Sequence, residues 1–217
     1  MSRTLVFDLD GTLVDSLPDL KSALNRLMAA RGFAPFGDAE VARMVGDGAQ
    51  ALIDRAFSAR GTTADAAAMA AFLDDYTAHS AVASRLYPGV AATLAGLRER
   101  GWLLAVCTNK PEVPARHVLA ALGVDHFFAA VGGGDSFPVR KPDPRHLIAT
   151  LEAAGGRIPD ALMAGDHAND VAAALGAGIG CVFAAWGYGT PAMSAGAIAI
   201  AENFAELANI ANRLLNG

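Results

Sequence analysis

Five short apolar runs punctuate the chain, the first, second and fourth closed directly by polar residues: Thr4–Phe7, Leu103–Cys107, Phe127–Val131, Ala161–Gly165 and Ile179–Phe183. They are continuous rather than alternating, the pattern of strands buried on both faces. Helical periodicity fills the gaps. After Tyr87-Pro-Gly89 a helix runs through Leu97, followed by helices over Val113–Leu122, Pro144–Ala154 and Ala168–Leu175, and a last one over Phe204–Leu215. Buried strands separated by helices of roughly ten residues predict a parallel sheet covered on both faces, with right-handed crossovers.

The first run lies far upstream of the others. The intervening stretch is helical, opening at Pro18 and Asp19 and running to Ala30 with Leu20, Leu24, Leu27 and Met28 on one face. Arg31-Gly32 ends that helix. A short helical piece follows over Asp38–Val45, Gly46-Asp47-Gly48 breaks the chain, and another helix covers Ala49–Ala59. Gly61 to Asp65 reads as a turn and cap before a helix reaching about Ser80. No convincing strand is expected from Ser16 to about Arg85. The predicted fold is therefore α/β, a Rossmann-like open parallel sheet with an inserted all-helical cap. Residues 1–15 and 86–217 form the discontinuous core and 16–85 the cap.

Composition narrows the classes. The chain has 217 residues, of which 53 % are hydrophobic and 18 % charged, enough apolar material for a sizeable core. A formal charge of −5 argues against a nucleic-acid partner, which wants a basic face. Cys107 and Cys181 lie in apolar runs and read as reduced, buried thiols. Asp8 and Asp10 interrupt the first apolar run too early for a signal peptide, so a cytoplasmic protein, monomer or homodimer, is expected. Val171 to Ala201 carries no charge, but six glycines and Pro191 break it, and no membrane span is expected there.

The chemistry gathers at the ends of the predicted strands, where open parallel sheets bind ligands. Strand one delivers Asp8 and Asp10, which alternation places on one side, roughly 6–7 Å apart. Burying two acids there is costly without a cation or a proton. The next strand delivers Thr108-Asn109-Lys110, the third leads through Gly132-Gly-Gly-Asp-Ser136 to Lys141-Pro142, and the fourth delivers Asp166 and Asp170. Taken singly, each has a plainer reading. Thr108-Asn109 caps helices well, Lys141 is also what a solvated charge before a turn looks like, and Asp favours helix starts. Together, four converging strand ends supply carboxylates, a hydroxyl, an amide and a lysine. Crowded acids imply a hard cation and suit Mg²⁺, while Thr108 and Lys141 suit an anion. A cation beside an anion clamp is the equipment of phosphoryl transfer. There is neither a GxxxxGK[ST] phosphate loop nor a GxGxxG after the first strand. His167 reads as a rim residue, Trp186-Gly187-Tyr188 as packing, and Cys107 as buried within its strand.

Asp8-Leu-Asp10-Gly-Thr12, Thr108-Asn109, Lys141-Pro142 and Gly165-Asp166 with Asp170 resemble, in order, the four motifs of the haloacid dehalogenase superfamily. The insert resembles its small helical cap. Within the superfamily the chain is similar to the phosphoglycolate phosphatases. The resemblance implies Asp8 as nucleophile through an aspartyl-phosphate, and Asp10 as acid toward the leaving alkoxide and then base toward water. It implies Thr108 at the transferring phosphoryl with Asn109 in support, and Lys141 neutralising that group and Asp8. Asp166 would ligate Mg²⁺ with Asp8 and the main-chain carbonyl of Asp10, with Asp170 supporting the metal's water or Lys141. The implied partner is a small phosphorylated metabolite. Three positions depart from the phosphoglycolate phosphatases: His167 replaces a usual Ser, Asp143 replaces a common His and adds charge near the mouth, and the glycines around Asp47 follow the pattern loosely. A hexose-phosphate mutase would keep the same residues. A 2-haloacid dehalogenase needs no metal, and a phospho-receiver domain needs neither Asp10 nor a cap.

Overall fold

The computed structural model describes residues 3–215. Its core is a six-stranded, all-parallel sheet in the order β5-β4-β1-β6-β7-β8. The strands are β1 (Thr4–Phe7), β4 (Leu103–Cys107), β5 (Ala130–Gly132), β6 (Ala161–Gly165), β7 (Gly180–Ala184) and β8 (Ala199–Ala201). β1 is central. Thr4 pairs with Leu103 on one side and with Ala161 on the other, which is why all four of its residues are buried.

Alternation sends Leu5 and Phe7 to one apolar cluster and Val6 to the other, so β1 divides two layers of core. On one face lie α5 (Val90–Glu99), α6 (Glu112–Ala121) and α9 (Phe204–Leu215), with Phe204 stacked on Phe7 at 5.7 Å between centroids. On the other lie α7 (Pro144–Ala153) and α8 (Ala168–Ala177). Among the described residues no helix is long and apolar enough to cross a membrane.

The cap helices are α1 (Leu17–Ala30), α2 (Asp38–Ala42), α3 (Ala49–Ser58) and α4 (Ala66–His79), and they enclose a separate apolar cluster that includes Leu24, Met28, Ile53 and Phe72. Pro18 opens α1, and Asp65 caps α4 by accepting from the Ala68 N–H. Two features tie the cap's roots together. β2 (Val14–Asp15) pairs antiparallel with β3 (Arg85–Leu86). The buried Asp19 carboxylate accepts from the Ala83 and Ser84 N–H groups and from the Ser84 hydroxyl.

Four local expectations change. Arg85 is a strand residue, although two-residue strands leave no periodicity to read. Phe127 belongs to a 3₁₀ turn over Asp125–Phe127 and the strand begins only at Ala130, because Phe127 and Phe128 reach the core from outside the ladder. α2 stops at Ala42, short of Val45. Ala199–Ala201 forms an edge strand beyond the five runs read as strands, and its Ile200 faces solvent.

Candidate active site

β1 ends in Asp8, whose N–H donates to the Ala164 carbonyl at 2.8 Å and so continues the ladder onto the acid itself. Leu9 then turns into the core, and the N–H groups of Thr12, Leu13 and Val14 all donate to its carbonyl. Gly11 holds this loop at φ +85°, where a Cβ would lie 2.3 Å from Asp166 Oδ2. Thr12 next in line donates its hydroxyl to Asp166 Oδ1 at 2.9 Å. The Asp-Gly-Thr sequence therefore serves to admit and fix Asp166.

Asp8, Asp166 and Asp170 each offer an oxygen within 4.8 Å of the others, and all three are buried. Lys141 Nζ lies 2.9 Å from Asp8 Oδ1 and 2.5 Å from Asp170 Oδ1. The Asp8 contact is an ion pair without hydrogen-bond alignment, leaving that oxygen unsatisfied. Burial pushes Asp8 up to about 6, with Lys141 opposing and Asp170 adding to the rise. Burial, then Asp8 and Asp170, push Asp166 up to about 8. For Lys141 burial disfavours the charge, but Asp170 and Asp8 outweigh it and hold the ammonium above its ordinary value. An all-oxygen set with raised carboxylates and an unsatisfied buried oxygen fits a small hard cation, so the three acids form a candidate Mg²⁺ site.

Asp10 is set apart from this cluster. Its carboxylate accepts from Ser16 Oγ at 2.5 Å and from Lys110 Nζ at 2.8 and 3.1 Å. Lys110 is buried, donates also to the Tyr76 hydroxyl from α4, and lies 4.5 Å from the centre of that ring. Burial opposes the Lys110 charge, yet Asp10 and Tyr76 hold the ammonium above its usual range. Thr108 is buried beside it and accepts the Lys110 N–H at 3.2 Å. Asn109 Nδ2 donates to the Lys141 carbonyl at 2.9 Å and to the Gly46 carbonyl at 3.0 Å, joining core and cap. A cleft of about 510 Å³, partly open to solvent, runs from Asp8 and Asp10 between these residues and the cap helices.

A model of haloacid dehalogenase-like hydrolases matches residues 2–178. The chain belongs to that family. It is closely related to the phosphoglycolate phosphatases: the one from Rhodospirillum rubrum is 45 % identical over 216 residues, covering 95 % of this chain and 90 % of the relative. Among solved structures, a predicted phosphoglycolate phosphatase from Haemophilus somnus superposes with a TM-score of 0.88 at 32 % identity, covering 96 % of this chain and 97 % of that one. CbbY from Rhodobacter sphaeroides, in complex with phosphate, gives 0.81 at 26 % identity, covering 95 % and 96 %.

In this hydrolase every residue singled out at the strand ends lines or supports one mouth: Asp8, Asp10, Thr108, Asn109, Lys141, Asp166 and Asp170. His167 caps α8, accepting the Asn169 N–H, while Asp170 accepts its own N–H. Asp143 does not charge the mouth. It caps α7 and is matched by Arg145, whose hydrogen bonds hold it down at about 2. Cys107 stays protonated, because burial pushes it up to about 12. Trp186-Gly187-Tyr188 is more than packing. The Tyr188 and Gly189 N–H groups donate to Asp166 Oδ2, and the Tyr188 hydroxyl donates to Asp15 while accepting from the Ser16 and Leu17 N–H groups. Lys110 was visible in the sequence as the residue after Thr108-Asn109. Tyr76 carried no local signal at all.

Proposed function

We propose that the chain hydrolyses small phosphomonoesters, with 2-phosphoglycolate, the compound named in its relatives' activity, giving glycolate and phosphate. The observation that carries this reading is the separation of two acids two residues apart. Asp8 faces Lys141, Asp166 and Asp170, whereas Asp10 faces Ser16 and Lys110. On this reading the first attacks phosphorus and the second transfers the proton.

Asp8 attacks the phosphoryl group, forming an Oδ–P bond as the ester P–O bond breaks, and Asp10 gives its proton to the departing alkoxide. Asp10 then takes a proton from the water that cleaves the aspartyl-phosphate, regenerating Asp8 and releasing phosphate. Lys141 offsets charge on Asp8 and the phosphoryl oxygens, and Asp170 keeps it there. Thr108 presents its hydroxyl to that phosphoryl, with Asn109 fixing the Lys141 backbone. Asp8, Asp166 and the main-chain carbonyl of Asp10 would hold Mg²⁺, which when bound supplies positive charge against the phosphoryl oxygens.

Residues 1–15 and 86–217 act as the catalytic core and 16–85 as a lid that excludes water and selects the organic part of the ester. The protein works as a cytoplasmic monomer or homodimer on a small metabolite, without nucleic acid, in keeping with its charge of −5. A screen of phosphomonoesters with and without Mg²⁺ tests the reading. Mg²⁺-dependent phosphate release, highest for 2-phosphoglycolate among glycolate, hexose and nucleotide esters, is expected. Release without Mg²⁺ dependence, or from none of the esters, rejects it.

A further inference from the structure

We infer that Lys110 is the specificity residue of the cleft, binding a carboxylate that sits one carbon from the ester oxygen; this rests on the phosphatase reading above. Lys141 is committed to Asp8 and Asp170 on the metal side of the mouth. Among the described residues lining the cleft, Lys110 is the remaining cation, on the far side of Asp10. Its ammonium spends hydrogen bonds on Asp10 and on the Tyr76 hydroxyl, a neutral oxygen supplied by the cap. An anionic oxygen from a ligand is a stronger acceptor than that neutral hydroxyl and would take its place on the ammonium.

Reach fixes the substrate class. The leaving oxygen must lie within hydrogen-bond range of the Asp10 carboxyl to receive its proton. Lys110 Nζ lies 2.8 Å from Asp10 Oδ1. A carboxylate joined to the leaving oxygen through one carbon places its own oxygens roughly 3 Å from that atom, and so within range of Lys110. A longer spacer adds a rotatable bond that must be ordered to make the same contact. The rest of the wall works by exclusion, since Leu20, Leu52, Phe72 and Leu73 offer no partners for sugar hydroxyls. The class is therefore phosphate esters of short 2-hydroxy acids.

The experiment compares kcat/KM for 2-phosphoglycolate and 2-hydroxyethyl phosphate, which has a hydroxymethyl group in place of the carboxylate. The holoenzyme with saturating Mg²⁺ is used, as wild type, Lys110→Met and Lys110→Arg. Any loss through Asp10 is shared by both esters, so the readout is their ratio. In wild type the ratio is expected to favour the carboxylate, to fall roughly 10–100-fold in Lys110→Met, and to recover in part in Lys110→Arg. An unchanged ratio in Lys110→Met, with both esters still hydrolysed by wild type, overturns the role of Lys110 while leaving the phosphatase reading intact. Wild type that hydrolyses neither ester overturns the phosphatase reading. If Lys110→Met does not fold, wild type decides alone: 3-phosphooxypropionate, one methylene longer, is expected to lose at least about tenfold against 2-phosphoglycolate. Equal rates reject the inference.

Discussion

Asp170 Oδ1 lies 2.5 Å from Lys141 Nζ, and both side chains are only 1 % exposed. Lys141 also pairs with Asp8, so it is the positive charge set against a buried acidic cluster. The two partners are therefore not equivalent. Lys141→Met strands Asp8, Asp166 and Asp170 together, and removing one partner of a buried pair costs about 3–5 kcal/mol. Asp170→Asn leaves Lys141 paired with Asp8 and removes one of the crowded charges, so its stability change is expected to stay within about 1 kcal/mol. Both variants should lose about 100-fold or more in kcat, because each misplaces the charge that faces the phosphoryl group. Urea unfolding of the metal-free variants at pH 8 checks the asymmetry. Equal destabilisation by the two would contradict it.

The raised acids predict how metal and protons compete. Asp8 is pushed up to about 6 and Asp166 to about 8, mainly by burial, from ordinary values near 3.8. A carboxyl raised by folding stabilises the fold while protonated, fully below its unfolded value, and that contribution is lost as pH rises through the folded value. Metal-free protein thus loses this contribution between about pH 4 and 8. Mg²⁺ binds the ionised forms and must displace the protons. The rise in melting temperature on adding Mg²⁺ should therefore grow from pH 5.5 to pH 8.5. Calorimetry in two buffers of different ionisation enthalpy should detect proton release at pH 7. A Mg²⁺ shift that is flat across this range would count against the assigned cluster.

Separating attack from proton transfer gives a third prediction. Asp8→Asn removes the proposed nucleophile and should abolish turnover while the fold, read by circular dichroism and melting, is retained. Asp10→Asn keeps Asp8 but has no proton to give. With an aryl phosphate, whose leaving group needs little protonation, it should still form the aspartyl-phosphate, then turn over about 100–10,000-fold more slowly than wild type. Mass spectrometry of quenched samples would find the +80 Da adduct on the chain. Steady-state rates equal to wild type would reject Asp10 as the acid–base group.

How far the sequence carried the site follows from how local each signal is. Asp8, Asp10 and Asp166 were legible because acids follow continuous apolar strands, where burial needs a reason, and Lys141 because the loop leaving the third run leads to it. The four strands that flank or approach them, β1, β4, β6 and β7, were legible from the same runs. What was not legible depends on long-range approach. Lys110 meets Tyr76 across 34 residues, and Tyr188 meets Asp166 across 22, with nothing in either local pattern to announce the contact. β8 escaped notice because a three-residue edge strand with one face in solvent lacks the apolar signature of an inner strand. Phe127 misled for the opposite reason, since an aromatic pair beside a strand satisfies the same pattern from a 3₁₀ turn.

The cap is held to the core beside the mouth by a small polar latch, which can be opened without touching the reacting groups. Asn169 Nδ2, at the start of α8, donates to Asp47 Oδ1 at 2.6 Å, and Asp47 also pairs with Arg55 within the cap. Gly46 beside it takes the Asn109 amide on its carbonyl and sits so close to the His167 ring that a Cβ would lie 2.6 Å away. Asp47→Ala removes the side-chain part of this contact at a partly exposed position, so stability should change by less than about 1 kcal/mol. Closure should suffer more. If 16–85 acts as the proposed lid, a substrate as small as 2-phosphoglycolate is expected to depend on its closure to exclude water and to keep Tyr76 over Lys110. A flat aryl phosphate reacts with less help. Asp47→Ala is therefore expected to lower kcat/KM several-fold for 2-phosphoglycolate and by less than twofold for para-nitrophenyl phosphate, with Mg²⁺ binding unchanged. Equal losses for the two esters would mean that the latch supports the fold of the mouth rather than closure of the cap.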